Sequence, residues 1–291
     1  MIRLVGILVG LFFAVMAVWA FFSGAYTYFS EPVAETAEHA FHEEAHLPTG
    51  GYAFDGLVPQ WDVAQLQRGY KVYKEVCSAC HSMQHVAFRD LADLGYTEGQ
   101  VKAEAASWQV PGIDPNTGEA NLRPGLPTDY FPSPYANRTA AAAANNNAVP
   151  PDLSLMTKAR HHGTAYVYSL LTGYRDPATY TNEDGETLAQ AFPESMPGTG
   201  LHFNPWFANL NLAMAPPLHT AGQVTFDDGT EASVKQMSAD VAAFLTWTAE
   251  PSLVDRIRLG WIVFGFLLFA TVLAYLAKKS VWSQLKTRRD D

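Results

Sequence analysis

The sequence predicts a mainly α-helical domain with long loops and a small β-hairpin, plus a C-terminal transmembrane helix. Three observations carry that expectation. Two uncharged apolar runs of 19 residues, Leu4 to Phe22 and Leu259 to Ala277, lie near the two ends. Between them, apolar residues recur at helical spacing in short segments, separated by stretches rich in proline and glycine. The chain of 291 residues has 48% hydrophobic but only 16% charged side chains, against about 25% charged in a typical soluble domain, as expected if part of it lies outside water.

The first apolar run follows a lone Arg3 and, at about 1.5 Å per residue, nearly crosses a bilayer core. Ser23-Gly24-Ala25 offers small residues at which a signal peptidase can cut, so residues 1–25 are an export signal or an N-terminal membrane helix. Residues 26–60, rich in Glu, His, Pro and Gly, read as a linker wrapping onto the domain. Its His39, His42 and His46 are spaced like metal ligands, but the setting is Glu-rich and lacks apolar support.

The main domain takes residues 61–252. Asp62 caps a helix in which Val63, Leu66, Tyr70, Tyr73 and Val76 recur at helical spacing and lead into Cys77. Prolines and glycines make residues 109–135 a long loop. Ala140 to Ala144 form a short helix ended by Asn145 to Asn147, and Pro150-Pro151-Asp152 starts another through Leu155 and Arg160. Thr164 to Thr172 is a further helix. Beyond a polar insert around Thr181 to Thr187, Val224 to Asp228 with Gly229 resembles the hairpin, and Ser238 to Thr248 is the last helix before the anchor. Residues 253–280 are the anchor, flanked by Trp261, Tyr275 and Trp282, and 281–291 a tail.

Charge sets the orientation. Lys278, Lys279, Lys286, Arg288 and Arg289 follow the second run, whereas only Arg256 and Arg258 closely precede it, so the tail is expected in the cytoplasm. The domain is then periplasmic, on a bacterial inner membrane. Residues 4–277 carry 13 basic against 27 acidic side chains, net −14. Such a surface repels phosphate backbones and excludes nucleic acid as a partner. The only cysteines, Cys77 and Cys80, rule out a disulfide scaffold.

Cys77-Ser78-Ala79-Cys80-His81 has the C-x-x-C-H spacing of c-type haem attachment. One turn sets the thiols about as far apart as the haem vinyl groups, and the adjacent imidazole can ligate iron. A thioredoxin-like dithiol would follow a strand, and a zinc site would need further ligands. The expectation is one covalently attached haem c in a mainly α c-type cytochrome domain. A thioether as the sixth ligand makes an electron carrier, whereas an open sixth position makes a gas sensor or peroxidase. Met83 is too close to His81 to reach the opposite face, and Met156 and Met237 lie on predicted helices, where methionine packs in the core. Met196-Pro197 and Met214-Ala215-Pro216-Pro217 both remain, each in a loop stiffened by proline.

Further segments carry a resemblance over nearly the whole exported domain and anchor. They are Arg68-Gly69-Tyr70, Val76 through Met83, Arg123-Pro124-Gly125, Asp129-Tyr130-Phe131-Pro132, Pro150-Pro151-Asp152-Leu153-Ser154 and Arg160-His161. Leu170 through Tyr174, Phe203-Asn204-Pro205, Met214 through Pro217 and Ala249-Glu250-Pro251 complete the order. In this the chain resembles the cytochrome c1 family, the haem subunits of quinol–cytochrome c oxidoreductase, the cytochrome bc1 complex. The resemblance implies that Met214 is the sixth ligand, that Pro151 packs on the haem, and that Arg160 pairs with a propionate near Tyr166, with Asn145 in the haem surroundings.

It also implies an electron-transfer subunit without substrate bond chemistry of its own. Electrons would pass from a Rieske iron-sulfur protein to a cytochrome c acceptor, in a dimeric complex with cytochrome b that oxidises quinol and moves protons. An anchored monohaem subunit of a terminal oxidase is the alternative within electron transfer, but it would lack the Pro-Pro-Asp-Leu-Ser and Met-Ala-Pro-Pro segments. The chain departs from the family in the insert Ala178 to Thr199 and in the alanine-rich Thr139 to Ala144.

Overall fold

A computed structural model describes residues 2–30 and 35–287. Met1, linker residues 31–34, the side chains of residues 284–287 (Lys286 among them) and residues 288–291, with Arg288 and Arg289, lie outside that description. Along the described chain the helices are α1 (Ile2–Ser30), α2 (Ala37–Phe41), α3 (Val63–Glu75), α4 (Glu98–Ala106), α5 (Arg138–Ala144), α6 (Met156–Ala159), α7 (Gly163–Thr172), α8 (Leu188–Ala191), α9 (Val234–Ala249) and α10 (Leu253–Thr287). Two small antiparallel ribbons pair β1 (Gln109–Ile113) with β2 (Ala120–Pro124), and β3 (His202–Phe203) with β4 (Asn211–Leu212).

The first and last helices bury nothing along their apolar stretches. At about 1.5 Å per residue each exceeds the roughly 30 Å of a bilayer core. The C-terminal apolar helix α10 therefore fits membrane anchoring, and the chain is mainly helical as expected.

The centre of the domain is the crossing of α3 with α9. Asp62 caps α3 by accepting from the Gln65 N–H at 3.0 Å, and Ser233 does the same for α9 through Gln236 at 3.1 Å. A Cβ on Gly69 would lie 2.0 Å from the carbonyl oxygen of Asp240 and 2.7 Å from Cβ of Phe244, so only glycine lets the two helices touch there. Arg68, the preceding residue, reaches the buried Asp240 at 2.8 Å and Asp228 at 2.6 Å, tying both helices to a loop. Tyr70 and Tyr73 fill the remaining space against Phe131 and Phe244. Next to α9, Thr157 of α6 and Thr164 of α7 bond to Leu245 O and Thr246 Oγ1.

Two expectations about strands and loops are overturned. The hairpin is β1–β2, inside the stretch read as a long loop, with Gln109 opposite Pro124 and Ile113 opposite Ala120. Its turn is made by Asp114, which accepts from the Asn116 N–H at 2.7 Å, and by Gly118 at φ +75°. Pro111 and Pro124 are tolerated because alternate N–H groups of a two-stranded ribbon point outward. Val224 to Asp228 is no hairpin: Val224 and Phe226 are buried in the main core, while Lys71 and Arg68 hold Asp227 and Asp228.

The helix expected from Pro151 starts only at Met156. The Asp152 carboxylate is engaged by other partners, described below, and does not cap it. Residues of the insert build a second small core, in which Leu188 of α8 meets Ala37 and Phe41 of α2, Phe203 of β3 and Leu210 just before β4. The Tyr180 hydroxyl donates to the Glu43 carboxylate at 2.5 Å across the same seam.

Candidate haem site

Helix α3 ends at Glu75, and the chain tightens at once into a single 3-10 turn, Cys77–Ala79. The N–H groups of Cys80 and His81 both donate to the Cys77 carbonyl, at 3.1 and 2.9 Å, which sets the two thiols on one turn. Both cysteines are free thiols. Burial, with a smaller push from Cys80, raises the Cys77 thiol to about 12. A disulfide-exchanging cysteine needs the opposite shift, so this one agrees with the preceding helix in disfavouring the dithiol reading.

His81 Nδ1 lies 2.8 Å from the carbonyl oxygen of Pro151. A carbonyl can only accept, so Nδ1 carries the proton and Nε2 keeps its lone pair free for a metal. Burial pulls the His81 pKa below its ordinary value, against the opposing effects of the Pro151 bond and the Asp152 charge. That shift favours the neutral ring, the form that binds a metal.

The segment Pro150 to Ser154 is strapped to this turn. Leu153 N–H donates to Ser82 O at 2.9 Å. The Asp152 carboxylate accepts from Ser82 Oγ and Gln84 N–H, both at 2.8 Å, and from Ser154 N–H at 2.9 Å. Ser154 Oγ, fully buried, accepts from His85 N–H at 3.1 Å. Burial works to raise the Asp152 carboxyl, yet the hydrogen bonds from Ser154, Gln84 and Ser82 outweigh it and hold the group below the usual carboxylate range.

Beside the turn lies a cavity of about 520 Å³, with Cys80, Pro150 and Pro151 on one wall and Tyr135, Arg138 and Ala141 on another. Asn145 ends α5 and donates from its side chain to the Ala141 carbonyl at 2.7 Å, which holds that wall in place.

The methionines separate by what they touch. Met83 and Met237 are fully buried, Met156 lies in the same core, and Met196 packs against the small core around Phe41 and Leu188. Met214 is half-buried and belongs to neither cluster. Its loop is held at both ends: Tyr174 donates its hydroxyl to the Met214 carbonyl at 3.0 Å, and Gln223 donates to Pro217 O at 2.7 Å. Burial, and then the neighbouring Tyr166, raise the Tyr174 pKa, so the phenol remains a donor. Tyr166 itself is half-buried on α7 and packs against the main core.

Arg160 follows α6 on extended backbone, exposed, with Nη1 on the Ala159 carbonyl at 3.2 Å and no carboxylate partner among the described residues.

Cys77, Cys80, His81 and Pro151 thus form one group, with Asn145 bracing a wall of the adjoining cavity. Met214 and Tyr166 are linked through Tyr174. Asp152, Tyr174 and Gln223 are supporting residues to which sequence reasoning gives no role at the site: Asp152 reads there only as part of a helix start, and Tyr174 only as part of a quoted motif. Two free thiols one turn apart, an imidazole with a free Nε2, an adjoining cavity partly walled by proline and alanine, and a thioether left out of the cores fit the donor set that a c-type haem requires.

The comparisons agree. The model of the Cytochrome C1 family matches residues 52–285. Cytochrome c1-2, a mitochondrial heme protein of Solanum tuberosum, is 41% identical over 256 residues, 88% of this chain and 91% of that protein. Cytochrome c1 of Rhodospirillum rubrum is 41% identical over 242 residues, 81% of this chain and 87% of its own length. A protein named cytochrome b/c1 from Bradyrhizobium diazoefficiens is 42% identical over 254 residues, covering 83% of this chain but 36% of that longer polypeptide. The chain belongs to the cytochrome c1 family, and with it to the haem electron carriers of the cytochrome bc1 complex.

Proposed function

We propose that the chain holds one covalently attached haem c and passes single electrons from a Rieske iron-sulfur protein to a cytochrome c. When bound, the haem supplies a one-electron couple. Cys77 and Cys80 would bind it through thioethers, and His81 and Met214 would take the two axial positions. A thioether is soft and stabilises the reduced ion, and the raised potential suits a Rieske donor, whose own potential is raised by histidine ligation. Pro151 would pack on the group, Asn145 braces the neighbouring wall through Ala141, and Arg160, free of any carboxylate among the described residues, is available to a propionate beside Tyr166.

The single observation that carries this reading is the His81 Nδ1 bond to the Pro151 carbonyl, 2.8 Å long, because it fixes the tautomer that leaves Nε2 for iron. The name of the Bradyrhizobium relative, cytochrome b/c1, supports cytochrome b as a partner. The haem domain is read as periplasmic on a bacterial inner membrane, with the tail after α10 cytoplasmic and the complex dimeric.

The test is to purify the chain with its bound neighbours and stain a denaturing gel for haem. The stain should migrate with this chain and vanish when both Cys77 and Cys80 are replaced by Ala. Haem that leaves the chain on denaturation would overturn covalent attachment. Copurification of a dihaem cytochrome b and a Rieske protein is the expected partner set.

A further inference from the structure

Leu57 and Val58 form the tip of a tight bend, 77% and 83% exposed. Their exposure is not that of a loose loop. Phe54 is buried with its ring 4.9 Å from that of Trp61, and Gln60 N–H closes the bend on Ala53 O at 3.1 Å. The bend is tied to the foot of α10 at three points. Trp61 Nε1 donates to Pro251 O at 3.4 Å, Arg258 Nη2 to Pro59 O at 3.1 Å, and Trp261 Nε1 to Leu57 O at 3.0 Å.

Arg258 and Trp261 lie one turn apart on one face of α10, and between them the character of the helix changes. Arg258 is the last charge before the uncharged run, and Trp261 is its third residue. A tryptophan there marks the level at which headgroups give way to acyl chains. The Leu57 carbonyl, within hydrogen-bond distance of that indole, is therefore at the same level.

Backbone at that level is favoured when its polar groups find partners within the protein. Around this tip several do: the carbonyls of Leu57 and Pro59 accept from Trp261 and Arg258, Pro59 has no N–H, and the Gln60 N–H is taken by Ala53. The two side chains left exposed at the tip are both branched and apolar. We propose that Leu57 and Val58 insert into the lipid leaflet adjoining the haem domain, forming an interfacial wedge beside α10. The inference rests on α10 being a membrane anchor and not on the electron-transfer assignment. The wedge gives the domain a foothold beside α10 that restricts its swivel about that helix.

Photo-crosslinking in membranes tests this. The full chain, assembled in its complex, carries p-benzoylphenylalanine in place of Leu57 or, separately, Val58, with Phe266 in mid-span as the lipid-facing reference. After illumination, mass spectrometry of the peptide should show a shift equal to one phospholipid at both positions, as at Phe266. Trp261→Phe, which removes the indole tether, should reduce the yield at position 57 while leaving it unchanged at Phe266. An adduct to another polypeptide at 57 and 58 would show that a protein covers the tip, and absence of any adduct would show that water does. Either outcome overturns the wedge.

Discussion

The imidazole of His81 donates its Nδ1 proton to the carbonyl of Pro151, 70 residues further along the chain, at 2.8 Å. Nothing local to the C-x-x-C-H turn supplies that acceptor. It is presented by the Pro150 to Ser154 strap, which Asp152 pins down through bonds from Ser82, Gln84 and Ser154. His81 and the carbonyl that orients it therefore depend on one carboxylate that hydrogen-bonds to neither of them.

Asp152→Asn tests that dependence. The variant loses charge-assisted bonds worth about 1.5 to 3 kcal/mol when buried, and this half-buried site should deliver the lower part of that range. The pH dependence has a definite sign. A carboxyl held below its unfolded value of about 3.9 contributes stability that is present above that pH and is lost as pH falls through the folded value. Denaturation of the native chain should thus show a loss below about pH 4 that is smaller in the variant, measured by urea melting against pH. Superimposable curves for the two chains would remove Asp152 from this role.

Gly69→Ala addresses the helix crossing that delivers Cys77. A new methyl would sit 2.0 Å from the Asp240 carbonyl oxygen, which is backbone inside a helix and cannot swing away. Overpacking costs about 1 to 3 kcal/mol, and a backbone obstacle places this case at the top of that range or above it. The expected result is a marked fall in melting temperature and in yield of the assembled protein. A variant as stable as the native chain would mean that α3 and α9 can part without consequence.

These features were unequally legible in the sequence. Asp62 as a cap and the helical spacing from Val63 to Val76 are local, so the approach to Cys77 could be read directly. The β1–β2 ribbon was obscured because Pro111 and Pro124 count as breakers until the ribbon is known to have two strands only. Val224 to Asp228 misled in the opposite way: its alternation reflects Val224 and Phe226 facing a core and Asp227 and Asp228 facing cations of α3, with no partner strand at all. The expected helix from Pro151 failed because Asp152 bonds to a segment some 70 residues earlier, a tertiary choice that no local pattern announces. Similarly, the residues left Met196 and Met214 open, and the packing of Met196 into the insert's own core is visible only in three dimensions.

Met214→Leu should leave the haem covalently attached, since Cys77 and Cys80 are untouched, while iron loses its thioether. The potential should fall and the weak near-infrared sulfur-to-iron band should disappear. Tyr174→Phe is the milder companion. It removes only the hydroxyl that holds the Met214 carbonyl, worth about 0.5 to 1.5 kcal/mol, so the band should persist at rest but vanish at lower denaturant than in the native chain. Retention of the band in Met214→Leu would reassign the ligand.

Arg160→Ala is expected to act on potential more than on stability. The guanidinium is exposed and bonds only to the adjacent Ala159 carbonyl among described partners, so the pair it would form with a propionate is a surface pair, worth about 1 kcal/mol or less. Redox titration should show a lowered potential, because a nearby positive charge favours the reduced haem, while the melting temperature changes little. An unchanged potential would place the propionate elsewhere.

The last expectation concerns the acceptor. Residues 4–277 hold 13 basic against 27 acidic side chains, and several of the basic ones are already neutralised: Arg68 by Asp228 and Asp240, Lys71 by Asp227, Lys74 by Glu104 and Arg123 by Asp129. The uncompensated field around the domain is negative, so a basic cytochrome c is drawn in over long range before any short contact forms. Such steering acts on the association rate more than on the final affinity. The Debye length falls from about 30 Å at 0.01 M to about 8 Å at 0.15 M ionic strength, which removes most of that field between the two conditions. Second-order stopped-flow oxidation of the reduced domain by a soluble basic cytochrome c should therefore slow strongly as salt rises, whereas oxidation by an acidic-surface acceptor, which the same field repels, should speed up. A rate independent of salt with the basic partner would mean that capture proceeds through apolar contact or through an acceptor tethered to the same membrane.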